Sequence, residues 1–282
     1  MKTKLFLITI LLLLSLAVAL GQSSDPDKIT VPLSDPNRPA FIRVSLISGS
    51  ITIKGYSGKD VIVDAKRGSD EDEYDEDNDE KDKSDKKRGL RHIPNMSTGV
   101  TVEEDDNEVT IATGGMASGR TVDLVIQVPT NSSMKLSTIN DGDIKVENVT
   151  GDIEVSNLNG DVNMKGINGS VVADALNGEI TVVFTGVDTK KSMSFSSMNG
   201  DIDVTLPSDT KASLKLKNDQ GEIYSDFDLK MNYNSTFDDN AARKGKRKVS
   251  MEKMMTAEIN GGSGADILFK NFNGDIFIRK GK

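Results

Sequence analysis

The sequence predicts an all-β protein, built as a solenoid of short stacked strands. Five glycines lie at an unbroken spacing of nine residues: Gly142, Gly151, Gly160, Gly169 and Gly178. Apolar residues alternate with polar ones after each glycine, which is the pattern of a strand with one buried face. Such a short strand cannot bury its apolar face alone. Repeated units are therefore expected to stack and to share one core.

Asn-Gly pairs mark the corners between the predicted strands, at Asn159, Asn168 and Asn177. Asn tolerates the left-handed backbone region and Gly enters it freely, so the pair can turn a corner. If two nonapeptides form one coil, Asn159 and Asn177 lie at the same corner of successive coils and stack as an amide ladder. An antiparallel β-sandwich or meander is the alternative, because Asn-Gly between alternating runs also indicates hairpins.

The eighth position of the repeat, counted from Gly, is apolar as well. It is occupied by Val149, Leu158, Ile167 and Leu176. The step from the apolar fifth position to the eighth reverses the parity of the strand, so a straight strand would expose one of the two side chains. We therefore expect the chain to bend between these positions in every repeat.

The motif recurs outside this region, at Asn199-Gly200, Gly221 and Asn273-Gly274, and in poorer form at residues 49–53. The spacings of 22 and 21 residues from Gly178 to Gly200 and on to Gly221 indicate a coil with a small insertion. Val128-Pro129 and Leu206-Pro207 each lead through a short strand to a Gly-acid-Ile step, which indicates a larger duplication. The terminal coils are expected to be atypical, because each faces water on one side.

Three parts of the chain are predicted. Residues 1–21 have the basic start, apolar run and small residues of a secretory signal peptide, with an uncleaved membrane anchor as the alternative. Residues 22–40 form a polar lead, and residues 41–282 form the repetitive β-domain. The chain has no cysteine, so its stability must come from its core without disulfides. We expect an exported protein that is periplasmic, cell-surface or extracellular and is not integral to the membrane after cleavage.

Two charged insertions interrupt the β-domain. Residues 69–92 begin with a dense acidic run and are expected to be a solvated loop. Asp75, Asp77 and Asp79 have the spacing of an EF-hand, but Glu80 replaces the required Gly and Lys86 the bidentate Glu, so only loose binding of divalent cations is compatible with this run. Residues 233–256 are polar and then basic, and are expected to be a surface loop.

No catalytic, cofactor-binding or metal-binding set stands out. His92 is the single histidine, and it lies in the acidic insertion. The residues after the repeat glycines are acidic at Asp143, Asp152, Asp161, Asp201 and Asp275. Catalysis needs an unlike pair of groups, whereas these recur as one type at one position, so we expect turn residues that bond to local backbone amides. Calcium-binding nonapeptides carry further glycines that are lacking here. The pI near 4.8 argues against nucleic acid.

The repeated apolar-Asn-Gly-Asp-apolar steps at residues 158–162, 198–202 and 272–276 resemble those of a family of bacterial exported domains, the putative adhesin family, formerly a domain of unknown function. The resemblance runs from about Phe41 to Lys280 and is interrupted by the two charged insertions. It implies a solenoid β-fold and a surface location. It brings no catalytic residues.

These observations lead to two hypotheses of different class. The first is a non-enzymatic, adhesin-like or envelope-associated protein that binds an unknown protein or glycan on its repeat face. The second is a polysaccharide-acting enzyme that uses Asp or Glu on that face.

Overall fold

The computed structural model describes residues 28–67, 99–113, 121–232 and 254–282. Within these ranges the chain forms strands and turns without any helix, so the all-β prediction is confirmed. The first ten strands are β1 (Lys28–Pro32), β2 (Ala40–Ser48), β3 (Ile51–Tyr56), β4 (Asp60–Arg67), β5 (Val100–Asp105), β6 (Glu108–Thr113), β7 (Val122–Pro129), β8 (Ser132–Asn140), β9 (Ile144–Glu147) and β10 (Thr150–Asn159). The others are β11 (Val162–Asn177), β12 (Ile180–Val187), β13 (Met193–Asn199), β14 (Ile202–Leu206), β15 (Ala212–Gln220), β16 (Ile223–Ser225), β17 (Lys230–Asn232), β18 (Met255–Ile259), β19 (Ala265–Asn273) and β20 (Ile276–Lys280).

The strands form two ladders that are connected through β11. The front sheet has the order β5-β6-β2-β8-β10-β11-β13-β19-β15-β18-β17, and it uses the second half of β11. The back sheet has the order β1-β4-β7-β3-β9-β11-β12-β14-β20-β16, and it uses the first half. In the front sheet, every pair of neighbouring strands from β6 along to β15 is parallel. In the back sheet, the same is true of every neighbouring pair from β7 along to β16. This is the predicted β-solenoid, and the antiparallel sandwich is wrong.

Each coil consists of one front strand, an Asn-Gly-type corner, one back strand and a second corner. Residues of neighbouring coils that are eighteen apart stand in register, for example Val155 with Ala173 and Val162 with Ile180. The inward side chains of both sheets are almost wholly buried and form a continuous core. Phe195 lies in that core with its ring 5.2 Å from Phe269 and 6.4 Å from Phe184. Burial of these repeated apolar faces stabilises the stack, since each neighbour supplies what a single coil lacks.

The order of the coils in space differs from their order in the chain. The coil of β2 and β3 lies between that of β6 and β7 and that of β8 and β9. The coil of β19 and β20 likewise lies between β13 and β14 on one side and β15 and β16 on the other. Gly274 therefore stands between Gly200 and Gly221, and the expectation that Gly221 follows Gly200 directly is wrong. Antiparallel strands β4, β5 and β18 cover the outermost coils.

The expected bend before the eighth position occurs in only half of the repeats. Val149 and Ile167 are buried, because Asn148 (φ 58°) and Gly166 (φ 69°) turn the chain just before them. Leu158 and Leu176 lie in uninterrupted strands and point outward, 40% and 38% exposed. For those two residues the prediction of a bend is wrong. The turn at their end of the coil is made by the following glycine.

Strand β1 lies within the predicted polar lead, and β18 begins at Met255, within the range expected for the basic insertion. The acidic insertion, His92 and most of the basic insertion fall outside the described residues, as does the predicted signal peptide.

Candidate functional site

The repeat glycines occupy two opposite edges of the solenoid. One edge carries, in spatial order, Gly49, Gly142, Gly160, Gly178, Gly200, Gly274 and Gly221. Gly151 and Gly169 lie at the other edge, where Gly151 approaches the carbonyl of Ser132 and Gly169 approaches that of Gly151. At Gly160 (φ 137°) a Cβ atom would stand 2.3 Å from the carbonyl oxygen of Gly142, so the close approach of successive corners requires glycine there.

An amide ladder runs along the first edge. Nδ2 of Asn177 donates to Oδ1 of Asn159 at 2.9 Å, Asn199 donates to Asn177 at 2.9 Å, and Asn273 donates to Asn199 at 3.4 Å. Asn159 in turn donates to the carbonyl of Ile139 at 3.1 Å. Asn168 lies at the opposite edge, in register with Thr150, and has no place in this ladder. The ladder ties neighbouring coils together at the corners.

A second polar row lies just inside the corners and was missed by sequence reasoning. Each member stands in register with its neighbours and donates to the carbonyl of a corner glycine on an adjacent coil. The pairs are Thr138 with Gly49 (3.0 Å), Asn157 with Gly142 (3.0 Å), Ser197 with Gly178 (3.3 Å), Asn271 with Gly200 (3.0 Å) and Asn218 with Gly274 (3.0 Å). The sequence did contain a signal for this row, because a polar residue lies three positions before a repeat glycine at Asn157, Ser197, Asn218 and Asn271. Ala175 is an apolar member of the row and lies between Asn157 and Ser197.

The acidic residues after the glycines accept backbone hydrogen bonds. Oδ1 of Asp161 accepts from the N–H of Glu179 at 2.8 Å, and Oδ1 of Asp201 accepts from the N–H of Asp275 at 2.8 Å. Asp143 accepts from Asp161 in the same way. The donors belong to the next coil, so the prediction that these residues bond to amides of their own turn is wrong. These carboxylates hold the corners together, and no group of acidic or His residues suited to a metal ion occurs within the described residues.

Asp152 lies at the other edge and has different partners. Its carboxylate accepts a hydrogen bond from the Ser170 hydroxyl at 2.7 Å and pairs with the Lys191 ammonium at 2.5 Å. Both contacts favour the ionised form, Lys191 more than Ser170, and they lower the pKa of Asp152. Lys191 comes from the turn between β12 and β13. This turn contains the insertion that lengthens the spacing from Gly178 to Gly200.

An exposed apolar ridge follows the front sheet beside the amide ladder. Its members occupy one position on six successive coils, as the registers of the flanking residues show. They are Ile47, Ile139, Leu158, Leu176, Met198 and Phe272, each between 38% and 49% exposed. Five strand intervals of about 4.8 Å make the ridge about 24 Å long. A contiguous row of exposed apolar side chains is characteristic of an interaction site.

A groove of about 730 Å³ runs along this ridge. A row of side chains two residues before the ridge positions lines one side of this groove. Three members of the row carry small hydroxyl groups, Ser137, Ser156 and Ser196, and the other two are charged, Asp174 and Lys270. The surrounding strands reduce the hydration of the Asp174 carboxylate, although its side chain reaches solvent. This desolvation raises the pKa of Asp174, and the nearby Glu154 charge adds to the effect, while Ser196 and Lys270 oppose it. We take the ridge and this groove as the candidate binding site.

No helix within the described residues has the length and apolar character needed to cross a membrane.

The fold defines the protein as a two-sheet parallel β-solenoid. Residues 130–260 match the sequence profile of the family described as Toastrack DUF4097. The matched segment includes the five-glycine repeat, the amide ladder up to Asn199 and most of the ridge. It confirms, over that range, the resemblance to a family of β-solenoid domains that the repeated Asn-Gly-Asp steps indicated.

A solved structure with some similarity is that of a "putative cell adhesion protein" from Clostridium sporogenes ATCC 15579. The two chains are 12% identical, and the alignment covers 90% of this chain and 99% of that one with a TM-score of 0.42. Similarity at this level does not establish a shared function. No curated protein is significantly similar in sequence.

Proposed function

We propose that the protein is exported and acts without catalysis, as an adhesin-like or envelope-associated protein that holds an elongated ligand on the front sheet. The observation that carries this proposal is the apolar ridge, which repeats on six coils and has one groove beside it from Ile139 to Phe272. Side chains that serve the core are buried, yet these six successive coils each keep an apolar side chain in water at the same position. A contiguous row of this kind, unlike scattered apolar side chains, indicates a surface that a partner covers.

Export is supported by the basic and apolar start of the chain, which has the pattern of a secretory signal peptide. Periplasm, cell surface and extracellular space all agree with this. Fractionation of cells that carry a tagged chain, with sequencing of the new amino terminus, tests the proposal. Retention of the whole chain in the cytoplasm would contradict it.

A polysaccharide-acting enzyme is the second candidate, and one observation favours it. Asp174 lies in the groove with a raised pKa, diagonal to Glu154 on the neighbouring strand, and two carboxylates in unlike surroundings can serve as acid and base. The recurrent acidic residues at the corners do not support this role, because they accept backbone hydrogen bonds.

One experiment separates the two functions. The exported protein is incubated with isolated envelope and polysaccharide fractions, and both retention and soluble sugar products are measured. We expect retention without product, and we expect Leu158→Ser with Leu176→Ser to abolish retention while Val183→Ser on the back sheet leaves it intact. Product release that disappears in Asp174→Asn would favour the enzyme instead.

A further inference from the structure

We propose that the ligand of the ridge and groove is a linear, uncharged polysaccharide chain that lies along the solenoid axis. This inference rests on the proposed binding function and specifies its ligand.

The shape of the site selects a long and narrow ligand. The ridge is one side chain wide, because outward residues along a strand are about 7 Å apart, and it extends across six coils for about 24 Å. The groove follows it from Ile139 to Phe272. A β-1,4-linked sugar chain is extended, and each of its units advances by close to one strand interval, so successive units can each lie beside the apolar ridge position of successive coils.

The chemistry of the lining matches a sugar surface. Pyranose rings present apolar C–H faces together with hydroxyl groups at their edges. Leu158, Leu176 and Met198 offer apolar contacts, while the hydroxyls of Ser156 and Ser196 can both donate and accept hydrogen bonds. Ser137 already bonds to Ser45 at 3.2 Å, which shows that hydroxyls of adjacent coils lie within bonding distance along this row.

An extended peptide fits the site less well. Peptides that bind β-sheets usually add a strand at an exposed edge, where main-chain groups are unpaired. The front strands that carry the ridge, from β2 to β19, are each paired on both sides. The face therefore offers side chains but no free strand edge.

Charge and area argue for an uncharged chain over a polyanion or a second copy. The groove has only three charged lining residues, Asp174, Asp219 and Lys270, and the whole protein carries a formal charge of −9, which repels anionic polymers. The ridge is a strip about 24 Å long and about 7 Å wide, which one extended chain can cover but which is too narrow to form the whole interface of a second folded copy. A stable interface between proteins needs about 800 Å² from each partner.

Calorimetric titration of the exported protein tests the inference, with cellohexaose and hexa-N-acetylchitohexaose as neutral probes and a hexasaccharide of uronic acid as the charged one. We expect the neutral hexasaccharides to bind and their disaccharides to bind much more weakly. Leu176→Ser should weaken the binding roughly fivefold to tenfold, since apolar contact is lost. Ser156→Ala should weaken it less, and the matched control Val183→Ser should not change it. Circular dichroism melts confirm that each variant is folded.

The other outcomes overturn the inference in distinguishable ways. Binding of an extended apolar peptide, or a dimer that Leu176→Ser dissociates, in place of hexasaccharide binding would show a protein ligand and leave the binding function standing. Preference for the uronic acid probe would exclude an uncharged ligand. If no hexasaccharide binds and retention on envelope fractions does not depend on the ridge, both the inference and the proposed function are wrong.

Discussion

Asn177 and Asn159 are eighteen residues apart in the chain, and their side-chain amides are joined by a hydrogen bond of 2.9 Å between Nδ2 and Oδ1. Asn177 also accepts a bond from Asn199. Each amide donates to one coil and accepts from the next, so the ladder has a direction along the solenoid. Replacing one member by a group that cannot donate therefore breaks one bond and leaves the other in place.

Asn177→Asp should lower the free energy of unfolding by about 1 kcal/mol, because a carboxylate cannot donate to Oδ1 of Asn159. The side chain is exposed, so water limits the loss. The control is Asn168→Asp, which makes the same change at the opposite edge and outside the ladder. Urea unfolding of both variants at pH 7 measures the difference. Equal losses would show that the amide ladder contributes no specific stability.

The inner polar row predicts a contrast between two replacements of one residue. Asn271 is fully buried and donates to the carbonyl of Gly200, while its own Oδ1 has no partner among the described residues. Asn271→Ala should cost about 1–3 kcal/mol, since the Gly200 carbonyl loses its donor. Asn271→Ser should cost clearly less, because Ser197 already fills the same role on a neighbouring coil and a hydroxyl leaves no unpaired amide oxygen.

The reverse change tests the same row. Ala175 occupies the equivalent position beside Gly160 and offers no donor, so Ala175→Ser should not destabilise the protein and should raise its melting temperature if the new hydroxyl reaches that carbonyl. Differential scanning calorimetry of the Asn271 and Ala175 variants provides the measurement. Loss of stability in Ala175→Ser as large as in Asn271→Ala would contradict the role assigned to the row.

The general fold could be predicted from the sequence because its signals are local and periodic. Nine-residue spacing, alternating burial and Asn-Gly corners all act within one coil, and stacking then follows from the need to bury each apolar face. The stacking of Asn159 on Asn177 follows from the same count. The order of the coils could not be predicted this way, because the inward faces of β3 and β20 are as apolar as those of their neighbours and suit many positions in a stack.

A signal for the actual order was nevertheless present. Pro129 and Pro207 end the back strands β7 and β14, and in both places the next front strand skips one coil position. The amino-terminal coil of β2 and β3 fills the first gap, and the carboxy-terminal coil of β19 and β20 fills the second. The duplicated segment at Pro129 and Pro207 thus marks the two places where the chain skips a coil position.

The ridge could not be predicted for a different reason. An apolar residue at the eighth position of the repeat is buried in the core at Val149 but exposed on the surface at Leu158, and only the geometry of the preceding corner distinguishes the two cases.

The ion pair of Asp152 with Lys191 predicts a pH dependence with a definite sign. The pKa of Asp152 is lowered in the fold, so its stabilising contribution is fully present above the ordinary pKa of Asp, about 3.9, and is lost as the pH falls through the lowered value. The pKa of Lys191 is raised, so its contribution is lost as the pH rises beyond the ordinary value for Lys. Both groups are about half exposed, which keeps the effect small and sensitive to salt.

Lys191→Met should therefore lower the free energy of unfolding in the pH range where Asp152 is ionised and Lys191 is protonated. In strong acid, the variant and the wild-type protein should have similar free energies of unfolding. The control is Lys190→Met, which removes the same charge one residue away. Urea unfolding over a pH series at low salt gives the comparison, and a loss that persists unchanged in strong acid would exclude the ion pair as its cause.

Asp174 predicts the opposite pH dependence. Its pKa is raised in the fold by desolvation, so ionisation opposes folding. Stability should fall as the pH rises from the ordinary Asp pKa through the raised value. Asp174→Asn should therefore be more stable than the unchanged protein at pH 7, with the difference closing below about pH 4. Thermal melts at pH 3, 5 and 7 measure this, and an Asn variant less stable at pH 7 would show that the carboxylate is held by contacts stronger than its desolvation.

Val162 and Asp161 are adjacent in sequence but face opposite surroundings, and this contrast tests the assignment of inward and outward faces. Val162 is fully buried on the back sheet between Ile144 and Ile180, which are its register partners on the adjacent coils. Ile153 and Val171 hold the same repeat position nine residues before and after Val162, but they belong to the front sheet. Val162→Asp places a carboxylate in this core without a partner and should cost several kcal/mol, enough to unfold much of a marginally stable domain. Asp161→Ala removes one bond to the exposed N–H of Glu179 and should cost about 1 kcal/mol. Thermal melts compare the two directly, and a larger loss for Asp161→Ala would show that the corner carboxylates contribute more to the stack than the core beneath them.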